Sequence, residues 1–322
     1  MVISPIEDLK TFLGAGIMKP LHCLSLILFS ILIFTEIQAN ECGDWGYSQM
    51  DFNRDCYVNL ADFAVFCDNW LVCSNPAGLD CIKLNKAIVV AHRGYSGIAP
   101  ENTLSAFNAA RGYADMVELD AYSSADGVLV VIHDSNVART TDGEGYIYNM
   151  TLSQIKQLDA GSWFSPAFTG ERIPTLQESI NAILPDMTPC IEQKGGTAQQ
   201  YVDLLTSMGV RDKVVVISFT ESFLNQVHAI APEIKLGFLG SSASAITDSL
   251  LVRLAVNGID IVDWSYGSIA DANVMKIQAV GLEVGVWTAN TAAVIQTQID
   301  RGADYITTNY PALTRQLVEQ YY

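Results

Sequence analysis

The residues of this chain best suited to chemistry all stand where apolar runs end. His92 and Arg93 follow Ile88–Ala91, Glu118 and Asp120 flank Leu119, His133 and Asp134 follow Val128–Ile132, and Glu192 and Lys194 close a run from Pro189. Short apolar runs of this kind read as buried strands, which places each polar cluster at a strand end. Carboxylates one residue apart share a strand face, so Glu118 lies beside Asp120. With Glu192 from another strand they would form an all-oxygen ligand set for one hard divalent cation, Ca²⁺ or Mg²⁺. Arg93 and Lys194 suit the non-bridging oxygens of a phosphate. Two imidazoles can activate a nucleophile and protonate a leaving alkoxide near neutral pH. Taken singly, each cluster reads as an ordinary solvated strand rim. The chain holds only four histidines, and two of them fall at strand ends in this one stretch beside paired carboxylates and an arginine. The combination describes a site for cleaving a phosphoester.

Positioning these groups requires strands that end on one face. Asp126-Gly127 is a two-residue hairpin signal. It predicts an antiparallel return through Val128–Ile132 that sets His133 opposite Asp120. Without that return strand, the strand candidates are Val89–Ala91, Met116–Leu119, Pro189–Glu192, Val214–Ser218, Lys235–Leu239, Ile259–Val262, Val284–Trp287 and Tyr305–Thr307. A segment long enough for a helix separates each pair; the first helix starts near Thr103 with Leu104, Phe107 and Ala110 on one face. Eight parallel strands joined by helices make an α/β protein, a (β/α)₈ TIM barrel. The rival open, doubly wound sheet would carry a Gly-x-Gly-x-x-Gly turn after its first strand, and none is present. The stretch from Arg139 to Pro174 is too long for a simple connection, and as an insertion after the second strand it should roof the site. Phe219 and Trp287, at later strand ends, are candidates to line a substrate pocket or to pack the barrel end. Trp264 reads the same way, and His228 reads as a surface residue.

With 322 residues and a net charge of −17, the chain has room for a large domain and a small one, and its acidic surface argues against nucleic acid or anionic lipid as partners. Residues 1–39 read as an export signal whose true start is Met18: an apolar core, Leu24–Phe34, too short to span a bilayer, follows Lys19. Cleavage before Asn40 leaves no membrane span, and a periplasmic or extracellular location follows. Residues 40–82 form a second module holding five of the seven cysteines, a density that reads as disulfide stapling in an exported chain. The odd cysteine there is free or pairs with Cys190. Asp51, Asn53, Asp55, Tyr57, Asn59 and Asp62 stand at the ligand positions of an EF-hand loop for structural Ca²⁺. Cys56 replaces the turn glycine and Asp62 the usual glutamate. The loop resembles a dockerin repeat, but a single repeat speaks against scaffold docking. Residues 83–322 make the barrel.

His92-Arg-Gly, Pro100-Glu-Asn-Thr103, Glu118-Leu-Asp120, His133-Asp134, Leu158-Asp-Ala-Gly161 and Ile173-Pro-Thr-Leu176, in this order, resemble the glycerophosphodiester phosphodiesterase family, from about Ala87 to the C-terminus. The resemblance implies hydrolysis of a glycerophosphodiester to glycerol 3-phosphate and an alcohol. It implies His92 and His133 as the acid–base pair, Glu118, Asp120 and Glu192 as ligands of one divalent cation, and Arg93 and Lys194 on the phosphate. Glu101 would orient Arg93 or support the metal. The family's last strand ends Thr-Asp-x-Pro, whereas this chain has Thr308-Asn309-Tyr310-Pro311. The alternatives are a phospholipase D-like or phosphatidylinositol-cleaving enzyme on the same barrel, and a catalytically silent binding or adhesion protein.

Overall fold

The computed structural model describes residues 86–322 and, outside them, a two-residue antiparallel pairing of Ile37–Gln38 with Tyr57–Val58. The export signal, the calcium loop and the cysteines of residues 40–82 otherwise lie outside the described residues. Asn85–Tyr322 is one compact unit.

Its strands, in chain order, are β1 (Ile88–His92), β2 (Met116–Ser123), β3 (Leu129–Val131), β4 (Thr188–Gln193), β5 (Val215–Ser218), β6 (Lys235–Gly240), β7 (Ile261–Ser265), β8 (Glu283–Trp287) and β9 (Tyr305–Thr308). All but β3 are parallel to their neighbours, and pairing of β1 with both β9 and β2 closes the sheet into an eight-stranded barrel. The helices that cover it are α1 (Leu104–Ala109), α2 (Leu152–Ile155), α3 (Leu176–Ile183), α4 (Ala198–Met208), α5 (Glu221–Ile230), α6 (Asp248–Val256), α7 (Asp271–Ala279), α8 (Ala292–Arg301) and α9 (Pro311–Tyr321). Threonines start several of them: Thr175 and Thr197 form capping boxes with Glu178 and Gln200, each filling two backbone donors the first turn leaves open.

Strand alternation divides the side chains into two sets. Odd-numbered residues of β2, Val117, Leu119 and Ala121, pack outward against helix residues such as Ile180, Leu205 and Phe107. Even-numbered residues point inward. Below the site the interior is filled by Val90, Met116, Cys190, Val215, Ile217, Leu239 and Ile261. Each fully buried Leu or Ile contributes about 1.5–3 kcal/mol. Cys190 is a buried free thiol, and its side chain faces the apolar barrel interior; its candidate partners lie outside the described residues. At the opposite end of the barrel Lys235 donates to the Tyr305 hydroxyl at 2.9 Å, and that hydroxyl donates to Glu283 at 2.7 Å.

The hairpin differs from its expected form. Ser124 pairs with Val128 and Gly127 bonds back to Ser124, so the loop has three residues, with Gly127 in the left-handed region at φ +81°. The extra residue slips the register by one, and Ile132 rather than His133 bonds across to Asp120, at 2.9 Å. His133 still follows immediately. The insertion leaves β3 and returns beside it, where Val131 donates to Pro174 at 2.8 Å and Val130 bridges Thr175. It holds a small core of its own, including Val137, Ile147, Ile155 and Ile173. The His133 side chain, just ahead of it, is 31% exposed. His228 is half-buried: its ring packs over Gly258, and Nδ1 is buried. Trp264 is 2% exposed and belongs to the barrel packing.

Gly94 is a position that tolerates a side chain poorly. Its φ is +79°, and a Cβ would lie 2.6 Å from the backbone carbon of Ala106 in α1. Gly94→Ala should lower unfolding stability by about 1–3 kcal/mol or more, read as a fall in the urea midpoint without a change in slope. An unchanged midpoint would mean that α1 can move away freely.

Candidate active site

Register assembles the centre of the site. His92 pairs with Glu118 across β1 and β2, and Asp120 pairs with Glu192 across β2 and β4. Because all four point inward at the same end of the barrel, oxygens of Glu118, Asp120 and Glu192 come within 4.8 Å of one another, and all three residues are buried. Glu118 Oε1 and Asp120 Oδ1 have no hydrogen-bond donor. Three buried carboxylates with orphaned oxygens, all hard donors, fit a divalent cation such as Ca²⁺ or Mg²⁺. Their proton affinities carry the same message. Burial, then Asp120 and Glu192, push Glu118 well above the ordinary carboxylate range. Burial and Asp120 push Glu192 up to about 7. Burial works against Asp120 as well, but Arg93, Lys194 and His133, with the Asn102 hydrogen bond, outweigh it and hold that carboxyl low.

The two cations lean on the same acids. Arg93 Nε lies 3.3 Å from Asp120, and its Nη1 donates to Glu101 at 2.8 Å. Lys194 Nζ lies 2.6 Å from Glu192 and 3.4 Å from Asp120. Glu101 therefore orients Arg93 and does not join the carboxylate cluster. The loop that carries Arg93 is unusual in its backbone: Arg93 and Asn102 both have positive φ, +55° and +59°. Conformations of this kind in non-glycine residues persist only where the surroundings hold them. Here Arg93 N–H donates to Glu118 at 2.9 Å, and Asn102 N–H donates to the Arg93 carbonyl at 3.0 Å. Asn102 also grips Asp120 twice, its amide nitrogen donating to Oδ2 at 2.8 Å and its amide oxygen accepting from the backbone N–H at 3.2 Å. In the sequence Asn102 is part of the Pro-Glu-Asn-Thr motif, and residue type and spacing assign it no role. Asparagine's tolerance of the left-handed region was the available signal.

The histidines are held differently. His92 Nδ1 donates to the Asn309 side-chain oxygen at 2.6 Å, while Nε2 lies 3.9 Å from Glu118. Burial, reinforced by Arg93, lowers its pKa to about 4. The rim residue that departs from the family pattern thus lies directly on His92, with an uncharged amide. His133 Nδ1 donates to Asp134 at 2.5 Å, and Asp134 is also paired with Arg139. At the mouth, Phe219 is 48% exposed, and its ring meets Trp287 edge to face at 5.9 Å between centroids. Trp287 Nε1 donates to the Asp263 carbonyl at 3.2 Å. The Asp263 carboxyl, which no sequence pattern marks, is buried; burial and then Glu192 push it up to about 7.

Residues 92–313 match the model of the glycerophosphoryl diester phosphodiesterase family. A glycerophosphodiester phosphodiesterase of Caldanaerobacter subterraneus is 34% identical over 243 residues, covering 73% of this chain and 99% of the relative. One from Bacillus subtilis is 31% identical over 259 residues, covering 74% and 88%. Among solved structures, an Oleispira antarctica phosphodiesterase in complex with the product sn-glycerol-3-phosphate superposes with a TM-score of 0.68 at 32% identity, over 72% of this chain and 96% of that one. A glycerophosphodiester phosphodiesterase from Agrobacterium tumefaciens gives 0.64 at 31% identity, over 71% and 99%. With the family match spanning most of the chain and the acid–histidine site in place at the barrel's end, this protein belongs to the glycerophosphoryl diester phosphodiesterase family and is an enzyme of that class.

Proposed function

We propose that the barrel hydrolyses small glycerophosphodiesters to glycerol 3-phosphate and an alcohol. One divalent cation, Ca²⁺ or Mg²⁺, would be held by Glu118, Asp120 and Glu192. The observation that carries the reading is the convergence of three buried carboxylates, two cationic side chains and two differently partnered histidines at one barrel end. When bound, the cation would supply Lewis-acid stabilisation of charge on the phosphoryl oxygens. Arg93 and Lys194 neutralise the non-bridging oxygens beside it. His92 donates Nδ1–H to Asn309, so its Nε2 lone pair faces the site and takes the proton of the attacking hydroxyl. His133, whose Nδ1 partner is the Asp134 carboxylate, carries the proton that the leaving alkoxide needs. The nucleophile in the first step is the neighbouring glycerol hydroxyl, giving a cyclic phosphate that water then opens; a preference for glycerol diesters follows. Phe219 and Trp287 line the pocket for the alcohol.

The test is hydrolysis of a panel of glycerophosphodiesters by wild type and His92→Ala, with chelator and with metal restored. Release of glycerol 3-phosphate by wild type alone, and only with metal, supports the reading; no release under any condition favours a silent barrel. The Asn309 contact adds a pH prediction. A general base must be neutral, so activity falls as pH drops through the pKa of His92, which is low at about 4. Asn309→Asp puts a carboxylate on Nδ1 and raises that pKa. The acid limb of kcat/KM should then move to higher pH, and an unmoved limb would remove His92 from the role of base.

Export and calcium binding belong to the proposal too. Mature protein recovered from the medium or periplasm should begin at Asn40, and the module of residues 40–82 should take up Ca²⁺ through Asp51, Asn53, Asp55, Tyr57, Asn59 and Asp62. Among the described residues no helix is long and apolar enough to cross a membrane.

A further inference from the structure

Arg139, in the first turn of the insertion, is not paired with the carboxylate cluster of Glu118, Asp120 and Glu192. Its guanidinium nevertheless joins two parts of the site that are far apart in sequence. Nη1 and Nη2 donate to the two oxygens of Glu101 at 3.0 and 2.8 Å, and Nε pairs with Asp134. Glu101 Oε1 in turn receives Arg93 Nη1 at 2.8 Å, and Asp134 Oδ1 receives His133 Nδ1 at 2.5 Å. The result is an unbroken chain of hydrogen bonds, Arg93–Glu101–Arg139–Asp134–His133, running from the loop after β1 to the end of the hairpin.

We infer that Arg139 is a positioning residue that sets the phosphate-facing Arg93 and the proton-carrying His133 together, through Glu101 and Asp134. This rests on the roles proposed above for those two groups. The planar fork of a guanidinium is what the position requires: one edge spans both oxygens of Glu101 while Nε reaches a second carboxylate. An ammonium is a point charge on a flexible stem and can serve one side or the other. The side chain of Arg139 is 43% exposed, against 14% for Glu101. Surface ion pairs so placed add little to global stability, and the consequence of losing this one falls on geometry. Glu101 would keep Arg93 but lose the fork that fixes its own carboxylate plane. Asp134 would lose the partner that keeps its second oxygen turned from His133.

The experiment compares Arg139→Ala, Arg139→Lys and Glu101→Gln with wild type on glycerophosphocholine at saturating metal, with unfolding curves measured alongside. Misplacing reacting groups by an ångström costs about 10²-fold, so Arg139→Ala should lose about that much kcat/KM. The loss should be divided between a raised KM, from Arg93, and a lowered kcat, from His133. Guanidinium ion added at millimolar concentration should restore part of the loss, and lysine should recover less than half of it on a logarithmic scale. The double variant with Glu101→Gln should show the same KM as Arg139→Ala alone, since one chain of contacts is already cut. Kinetics within twofold of wild type would overturn the inference, as would a loss that tracks the unfolded fraction and ignores guanidinium. If Arg139→Ala does not fold, Arg139→Lys and Glu101→Gln decide: unchanged KM and kcat in both count against it. Should Arg139→Ala match wild type while His133→Ala is inactive, this inference alone fails. Should His133→Ala be fully active, the underlying functional reading fails instead.

Discussion

His133→Ala should lower kcat on glycerophosphocholine by on the order of 10²–10⁴, the usual worth of a general acid. Choline is a poor leaving group as its alkoxide, so the missing proton is felt in the bond-breaking step. The same variant should keep most of its activity on a glycerol phosphodiester of p-nitrophenol, whose anion departs without a proton. His92→Ala should lose a similar factor on both substrates, because the attacking hydroxyl must be deprotonated whatever group leaves. The partners of the two rings motivate the difference: a neutral amide on His92 and a carboxylate on His133. Measuring kcat for both variants against both esters settles the assignment. If His92→Ala is the variant rescued by the good leaving group, the two roles are exchanged.

Chelation should reduce turnover by at least ~10²–10³, since a Lewis-acid cation is worth several kcal/mol and each 1.36 kcal/mol is tenfold in rate. Mg²⁺ or Ca²⁺ should restore it. Asp120→Asn should raise the metal concentration needed, because this carboxylate sits between Glu118 and Glu192 with one oxygen that accepts no hydrogen bond. Binding should register without substrate as well: a cation at a hundred times its Kd stabilises the fold by about 2.7 kcal/mol, visible as a rise in Tm. The pH dependence has a definite sign. Glu118 and Glu192 have raised pKa values, the latter about 7. They must shed protons before ligating, so cation affinity increases as pH rises through the neutral range. A Tm indifferent to both metals at every pH would remove the cation from the site.

Local pattern was enough to expect the acids and the barrel. Glu118 and Asp120 end an apolar run with one residue between them, and alternation alone puts both on the inner face; Glu192 comes to them because β4 is in register with β2. Residues whose importance is entirely non-local escaped the same reasoning. Nothing around Arg139 announces that it will meet Glu101, 38 positions earlier; Asn309 stands out in the sequence as a rim departure from the family's aspartate, but its bond to His92 does not. Asn102 is a different case, as its role needs a left-handed backbone that only its neighbours enforce. The hairpin shows how a small error propagates: Ala125 joins the loop, the loop gains a residue, and His133 moves one place along the ladder.

The insertion begins and ends across a single bridged pair, Val130 with Thr175. A loop whose two feet already stand side by side can grow or shrink at little thermodynamic cost, about 0.6 kcal/mol for each doubling of length. Length changes at the exposed edge of this segment should therefore leave the hydrolytic apparatus undisturbed, provided its small core of Val137, Ile147, Ile155 and Ile173 is kept.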